Sequence, residues 1–291
     1  MCPRLAPVVT ILSIQSSVAY GHVGNSAAAF ALMRLGVEVY PVLTVHYSNT
    51  TAYQSWRGPV FKAAEVADVI RGVDERGALA GVDAVLSGYQ GSEEMGQTIL
   101  DAVALVKERS PRAVYCCDPV MGDVGRGFYV ASGIPGFLRD HVVPVADIVT
   151  PNQFELDFLM GTETKTVDDL LAAADGLIAL GPETVLVTSA IAQDAAPETI
   201  SMAAVRRDEA WLVTTPLLNR TFTGSGDVTS AVFLATLLGS GSLAGALGQT
   251  ASVVYSILEA TARSGQRELR LVAAQDQLVA PAHRFEAVRL R

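Results

Sequence analysis

In the stretch "FTGSGDVTSA" (222–231), Gly224 and Gly226 bracket Ser225, and Asp227 follows at once, where an apolar run begins. Glycines ahead of a helix permit tight turns that aim backbone N–H groups outward. Together with the positive end of the helix dipole they make an anion site. A carboxylate at such a site repels phosphate unless it has a proton to take. A base beside a transferring phosphoryl group, set to deprotonate an attacking hydroxyl, is one use for Asp227. Capping the helix is the other. "CDPVMGD" sets Asp118 and Asp123 five positions apart after an apolar run. Hard oxygens there suit Mg²⁺, which keeps several waters and takes a few carboxylates plus phosphate; alternatively Asp118 caps its own turn ahead of Pro119. "TPNQFELD" adds Thr150, Asn152 and Glu155. Thr150 or Asn152 can cap a helix with Glu155 answering from the first turn, or Glu155 can hold a metal or water.

Other polar clusters follow apolar runs in the same way. Ser16 and Ser17 precede "VAYGHVGNSAA", a glycine-bearing turn into a helix. It matches neither GxGxxG nor GxxxxGK[ST], so both common nucleotide fingerprints are missing. "VHYSNTTAY" groups Ser48, Asn49, Thr50 and Thr51 with Tyr47 and Tyr53, and Trp56 lies close by. Such a setting suits an aromatic ligand that carries hydrogen-bonding substituents, because rings stack and hydroxyls orient. A well-capped loop explains the same residues. Tyr89 follows Gly88 in "SGYQGS".

These residues need a frame. Strand-like runs at 8–14, 37–44, 83–88, 113–119, 146–152 and 184–189 alternate with helical stretches at 26–35, 61–71, 93–109, 153–160 and 166–180. A hairpin is expected at 200–216 with its charged turn at 206–209. Two helices follow Gly226, and "ELRLVAAQ" (268–275) reads as a last strand. Alternation of this kind predicts a mainly parallel sheet with helices on both faces, with the hairpin adding antiparallel strands at one side. Ligands bind such sheets beyond the carboxyl ends of the strands, where the clusters above fall. No linker, repeat or low-complexity tract interrupts the pattern, so one domain over 1–291 is expected.

The formal charge of −9 and the lack of a Lys/Arg run argue against nucleic acid as a partner. The chain has three cysteines, Cys2, Cys116 and Cys117. The adjacent pair points to opposite faces of a strand, and no CxxC spacing suggests zinc, so buried reduced thiols are expected. Apolar runs stop well short of about 20 residues, so no membrane span is expected. A cytoplasmic location follows, with no signal-peptide pattern at the start.

Taken in order, "SIQSSVAYGHVGNSAA", "YSNTTAY", "LSGY", "CDPVMGD", "DIVTPNQFEL" and "GSGDVTSA" resemble the strand-end motifs of pyridoxal kinases, in the ribokinase-like superfamily. "GSGD" alone marks the superfamily; the first two motifs narrow it. With the tail "LRLVAAQDQLVAPAHRFEAVRL", the resemblance covers nearly the whole chain. It implies a three-layer α/β/α sandwich, usually a homodimer. It also implies transfer of the ATP γ-phosphoryl group to the 5′-hydroxymethyl of pyridoxal, and often of pyridoxine and pyridoxamine, with Mg²⁺ and commonly K⁺. Carried over by position, Asp227 matches the base, and Gly224, Ser225 and Gly226 the anion hole. Ser16, Val45, His46, Thr51 and Tyr89 match the ring pocket. Asp118, Asp123 and Glu155 match the metal and phosphate region. Thr150, Asn152, Thr188, Ser189 and Thr223 match the nucleotide side, which Asp118 and Glu155 also border.

The sequence departs from the family at three positions. Ser225 stands where Thr or Val is common. His46 and Tyr47 replace the usual Gln and Phe, so His46 is expected to change how the ring is held. Two alternatives stay open: hydroxymethylpyrimidine kinase, whose members often carry Cys in place of Asp227, and a vitamin-binding protein without catalysis. "DVGRGF" (123–128) is the candidate lid, with Arg126 placed to reach a phosphate.

Overall fold

A computed structural model describes residues 8–291. Cys2 lies outside the described residues. The elements in chain order are β1 (Thr10–Val18), α1 (Asn25–Arg34), β2 (Glu38–Tyr47), α2 (Ala63–Glu75), β3 (Ala84–Ser87), α3 (Glu93–Arg109) and β4 (Val114–Cys117). A small hairpin follows, β5 (Gly122–Asp123) with β6 (Gly127–Phe128). Next come α4 (Ile134–Phe137), β7 (Ile148–Val149), α5 (Gln153–Met160), α6 (Val167–Leu180), β8 (Thr184–Ala190), β9 (Thr199–Arg206) and β10 (Glu209–Pro216). The chain closes with α7 (Ser225–Ser240), α8 (Leu243–Ser264), α9 (Asp276–Val279) and β11 (Val288–Arg289).

Nine strands form one sheet in the order β11-β10-β9-β8-β7-β4-β3-β1-β2. The strands from β2 to β8 pair in parallel, and β9, β10 and β11 add antiparallel pairs at one side. Strand alternation decides which layer each side chain joins. Leu12, Val85 and Cys117 pack with α2, α3, α5 and α6, whereas Ile11, Leu86 and Cys116 pack with α1, α7 and α8. The two adjacent cysteines therefore serve opposite layers as free, buried thiols. Phe233 on α7 is fully buried, and truncating a side chain of that kind to Ala costs about 3–5 kcal/mol.

Helix starts follow their polar residues. Ser92, Thr166 and Ser242 each accept a backbone N–H from the first turn of α3, α6 and α8. Among the described residues no helix is long and apolar enough to cross a membrane.

One predicted element is wrong. Residues 268–275 form turns leading into α9, and β11 is the last strand. Leu269 and Leu271 imitate strand alternation, but the buried positions continue as Leu271, Ala274 and Leu278, a helical spacing. The backbone agrees, since Ala274 N–H donates to Arg270 O and Ala280 N–H to Asp276 O. The segment packs on α1, α7 and α8, away from any strand partner.

Candidate active site

The sheet's carboxyl edge opens into a cavity of about 550 Å³. Gly224 caps α7 with φ +90° and no side-chain hydrogen bond, so the helix begins on bare backbone. A side chain at Gly224 would run into the carbonyl of His22, which makes glycine obligatory there on both counts. Asp227 lies in the first turn of α7 and does not occupy the cap. Its carboxylate accepts the backbone N–H of Gly24 as well as its own, which ties the start of α1 to the start of α7. Gly24 in turn sits so close to the Ser16 carbonyl and hydroxyl that no larger residue fits. Burial raises the Asp227 carboxyl from 3.8 to about 6, against the pull of those two hydrogen bonds. The group is therefore ionised at neutral pH yet basic enough to accept a proton.

Glu155 makes the expected capping contact. Its Oε2 accepts Asn152 N–H at 2.9 Å while Asn152 Oδ1 accepts Glu155 N–H at 2.9 Å, a reciprocal capping box on α5. Its Oε1 accepts Met121 N–H at 3.0 Å, so the same carboxylate fixes the turn after β4. Burial nonetheless raises its pKa to about 8. Asp118 is 6% exposed; burial, then the charges of Glu155 and Asp227, push its carboxyl well up. Asp123 is raised by burial and accepts Val124 N–H at 2.8 Å. These four carboxylates line the cavity with Arg126 as the cationic side chain among the lining residues.

A repelling carboxylate set of this kind fits a hard divalent cation. Among the described residues, however, no three His, Cys, Asp or Glu side chains stand close enough to hold a metal by themselves. The donor set suits an ion that keeps water and takes phosphate oxygens.

Ser16, Val45, Thr51 and Tyr89 line the cavity with Val18, Tyr47 and Thr50. Burial, then the neighbouring Tyr47, raises the Tyr89 hydroxyl pKa. His46 departs from expectation, being exposed and absent from the lining. It alternates along β2 with Val45 and Tyr47, which take the inner side, so it has no route to a ring bound there. Thr150, Asn152, Thr188, Ser189 and Thr223 all reach the cavity. The Thr150 and Ser230 hydroxyls are 2.9 Å apart, Asn152 Nδ2 donates to Gly122 O at 2.8 Å, and Ser189 adopts φ +55° at the end of β8.

Lining residues not singled out in the sequence include Val23, Gly24, Tyr129 and Ser230. Val23 and Gly24 lie inside the quoted "YGHVGN" motif, and Ser230 is one helical turn beyond Asp227, so spacing could have found them. Tyr129 carried no signal. It follows the β5–β6 hairpin, and Arg126 stacks 4.4 Å from its ring centroid while donating to Thr51 O at 3.5 Å. That hairpin, holding the candidate lid, forms one wall of the cavity.

An α/β/α sandwich with a glycine-started helix and a poised carboxylate at the sheet's carboxyl edge defines a ribokinase-like phosphotransferase. The phosphomethylpyrimidine kinase family model matches residues 61–271. Pyridoxal kinase PdxY of Rubrobacter xylanophilus is 56% identical over 97% of this chain and 98% of its own length. The enzyme of the same name from Leifsonia xyli is 54% identical over 96% and 99%. Pyridoxal kinase from Leishmania donovani, solved with ADP and pyridoxamine, superposes with a TM-score of 0.91 at 29% identity, covering 97% of this chain and 99% of that one. The chain belongs to the pyridoxal kinase family.

Proposed function

We propose that this chain transfers the γ-phosphoryl group of ATP to the 5′-hydroxymethyl of pyridoxal, and of pyridoxine and pyridoxamine, giving the 5′-phosphate. The observation that carries the reading is Asp227, a carboxylate raised to about 6 at the glycine-started end of α7 and facing the same cavity as Ser16, Val45, Thr51 and Tyr89. The hydroxymethyl oxygen forms its bond to the γ-phosphorus as the bond to the β,γ-bridging oxygen breaks. ADP leaves with that electron pair, and Asp227 takes the hydroxyl proton. Backbone N–H groups of Gly224, Ser225 and Gly226 face the charge that develops. Ser16 and Thr51 orient the pyridine ring and Tyr89 bounds it. Thr150, Asn152, Thr188, Ser189 and Thr223 border the nucleotide.

A divalent cation, when bound, neutralises phosphate charge, and Asp118 would hold it, with Asp123 and Glu155 acting through water. Mg²⁺ suits that arrangement, and the K⁺ dependence and homodimer implied by the resemblance belong to the same proposal.

A second reading has its own support, because the matching family model is named for phosphomethylpyrimidine kinase. Initial rates of ADP release with pyridoxal, pyridoxine, pyridoxamine and hydroxymethylpyrimidine, measured side by side, separate the two. We expect the highest kcat/KM on a pyridoxal-type vitamer. A clear preference for the pyrimidine, or vitamer binding without ADP release, overturns the proposal.

A further inference from the structure

Residues 265–268, just after α8, bond to two segments that flank cavity-lining residues: Arg220, next to Thr221–Thr223, and Ala52 and Tyr53, next to Thr50 and Thr51. Arg220, in the approach to α7, donates to Gly265 O at 3.2 Å and to Gln266 O. At the second segment, the Arg267 guanidinium lies 3.7 Å from the Tyr53 ring centroid and donates to Ala52 O at 2.6 Å. Glu268 Oε1 accepts the Tyr53 hydroxyl at 2.8 Å. That hydrogen bond is the main reason the Tyr53 pKa is pushed up to about 12.

The other oxygen of Glu268 is the unusual one. Oε2 is buried without a hydrogen-bond partner among the described residues. It is pressed so closely on Gly21 that any side chain there would collide with it. His22 comes next in the chain, and its Nδ1 is likewise buried without a partner. The His22 carbonyl is the group that abuts Gly224. One carboxylate therefore grips Tyr53, in the loop that carries Thr50 and Thr51, and backs the turn that shapes the start of α7. A buried carboxylate oxygen left unpaired is costly, so a surface-loop fastening alone does not account for it.

We propose that Glu268 is a positioning residue that holds the loop at 49–55 in register with the turn behind Gly224, so that a ring bound by Thr51 presents its hydroxymethyl group to Asp227. This rests on the vitamer kinase reading above. Glu268 touches neither substrate nor the reacting atoms in this account; it acts through Tyr53 on one side and through Gly21 and His22 on the other.

The test combines Tyr53→Phe, Glu268→Ala, Glu268→Gln and the Tyr53→Phe/Glu268→Ala double variant. Tyr53→Phe removes only the hydroxyl and keeps the ring under Arg267, so it folds even if Glu268→Ala does not. Losing a hydrogen bond to a charged group predicts a rise of about 10-fold or more in the KM for pyridoxal, with the KM for ATP within about 2-fold of wild type. The double variant should be no worse than the worse single variant, and Glu268→Gln, which keeps an acceptor for Tyr53, should recover most of the loss. Amide hydrogen exchange on the free protein gives a readout that needs no catalysis: Glu268→Ala should speed exchange in both 21–24 and 49–55. Additive effects in the double variant, an unchanged KM in Tyr53→Phe, or faster exchange confined to 49–55 overturn the proposal. If the wild type phosphorylates no vitamer, the functional reading fails, while the exchange measurement still decides whether Glu268 couples the two segments.

Discussion

Replacing Asp227 by Asn exchanges one carboxylate oxygen for an amide and leaves the shape of the cavity in place. The carboxyl accepts the N–H of Gly24 and of its own residue, and the Asn oxygen can keep one of these. What disappears is the proton acceptor, so kcat should fall by about 10²–10⁴-fold with little change in pyridoxal binding. The pH profile adds a second signature. With a pKa raised from 3.8 to about 6, Asp227 is active when ionised, so the wild-type rate should rise with pH through about 6 and level off above 7. Stability moves the other way. The folded state holds this proton more tightly than the unfolded chain, so the contribution is present below about pH 4 and lost as pH rises through about 6. Two pH units correspond to about 3 kcal/mol, and partial exposure reduces that to about 1–3 kcal/mol. The Asn variant should therefore unfold roughly 2–5 °C higher than wild type at pH 8, with the gain vanishing near pH 4. Steady-state kinetics from pH 5 to 8 and thermal melts at pH 4 and 8 measure both effects. Turnover within a few-fold of wild type, or an acidic limb that survives the substitution, refutes the assignment of Asp227 as the base.

Gly224→Ala forces a side chain into the His22 carbonyl at φ +90°, so kcat should drop by about 10²-fold or more and the melting temperature should fall, as kinetics and calorimetry would show. His46→Ala should leave the KM for pyridoxal within about 2-fold of wild type, because His46 is exposed and lies outside the cavity lining. Glu155, raised to about 8, and Asp118, also raised, face the cavity without a lysine among the lining residues. Binding of a divalent cation with ADP at pH 7 should therefore release protons, which calorimetry in buffers of different ionisation enthalpy detects.

Periodicity located the layers because burial on each face follows strand alternation and helical spacing, as the split between Cys116 and Cys117 illustrates. It failed at 268–275, where two alternating leucines were too short a run to separate a strand from turns. It also missed β11, since a two-residue strand leaves no pattern. Within the cavity, residue type pointed to Asp227 and Asp118 because carboxylates are conspicuous at strand ends and helix starts. The N–H of Gly24 that holds Asp227 belongs to a backbone some 200 residues away in sequence, and residue type says nothing of it. His46 was misjudged for the opposite reason: its chemistry suited a ring, and only the side of β2 on which it lies excludes it.

The repelling carboxylates of the cavity also bear on what the protein refuses. A bare nucleotide brings several negative charges toward Asp118, Asp123, Glu155 and Asp227, with Arg126 as the cationic lining residue. Ionising Glu155 and Asp118 beside phosphate charge is costly, so metal-free ATP finds them protonated, whereas a nucleotide that arrives with its divalent cation meets carboxyl groups that release their protons to share the ion. Entry is then a test of net charge as much as of shape.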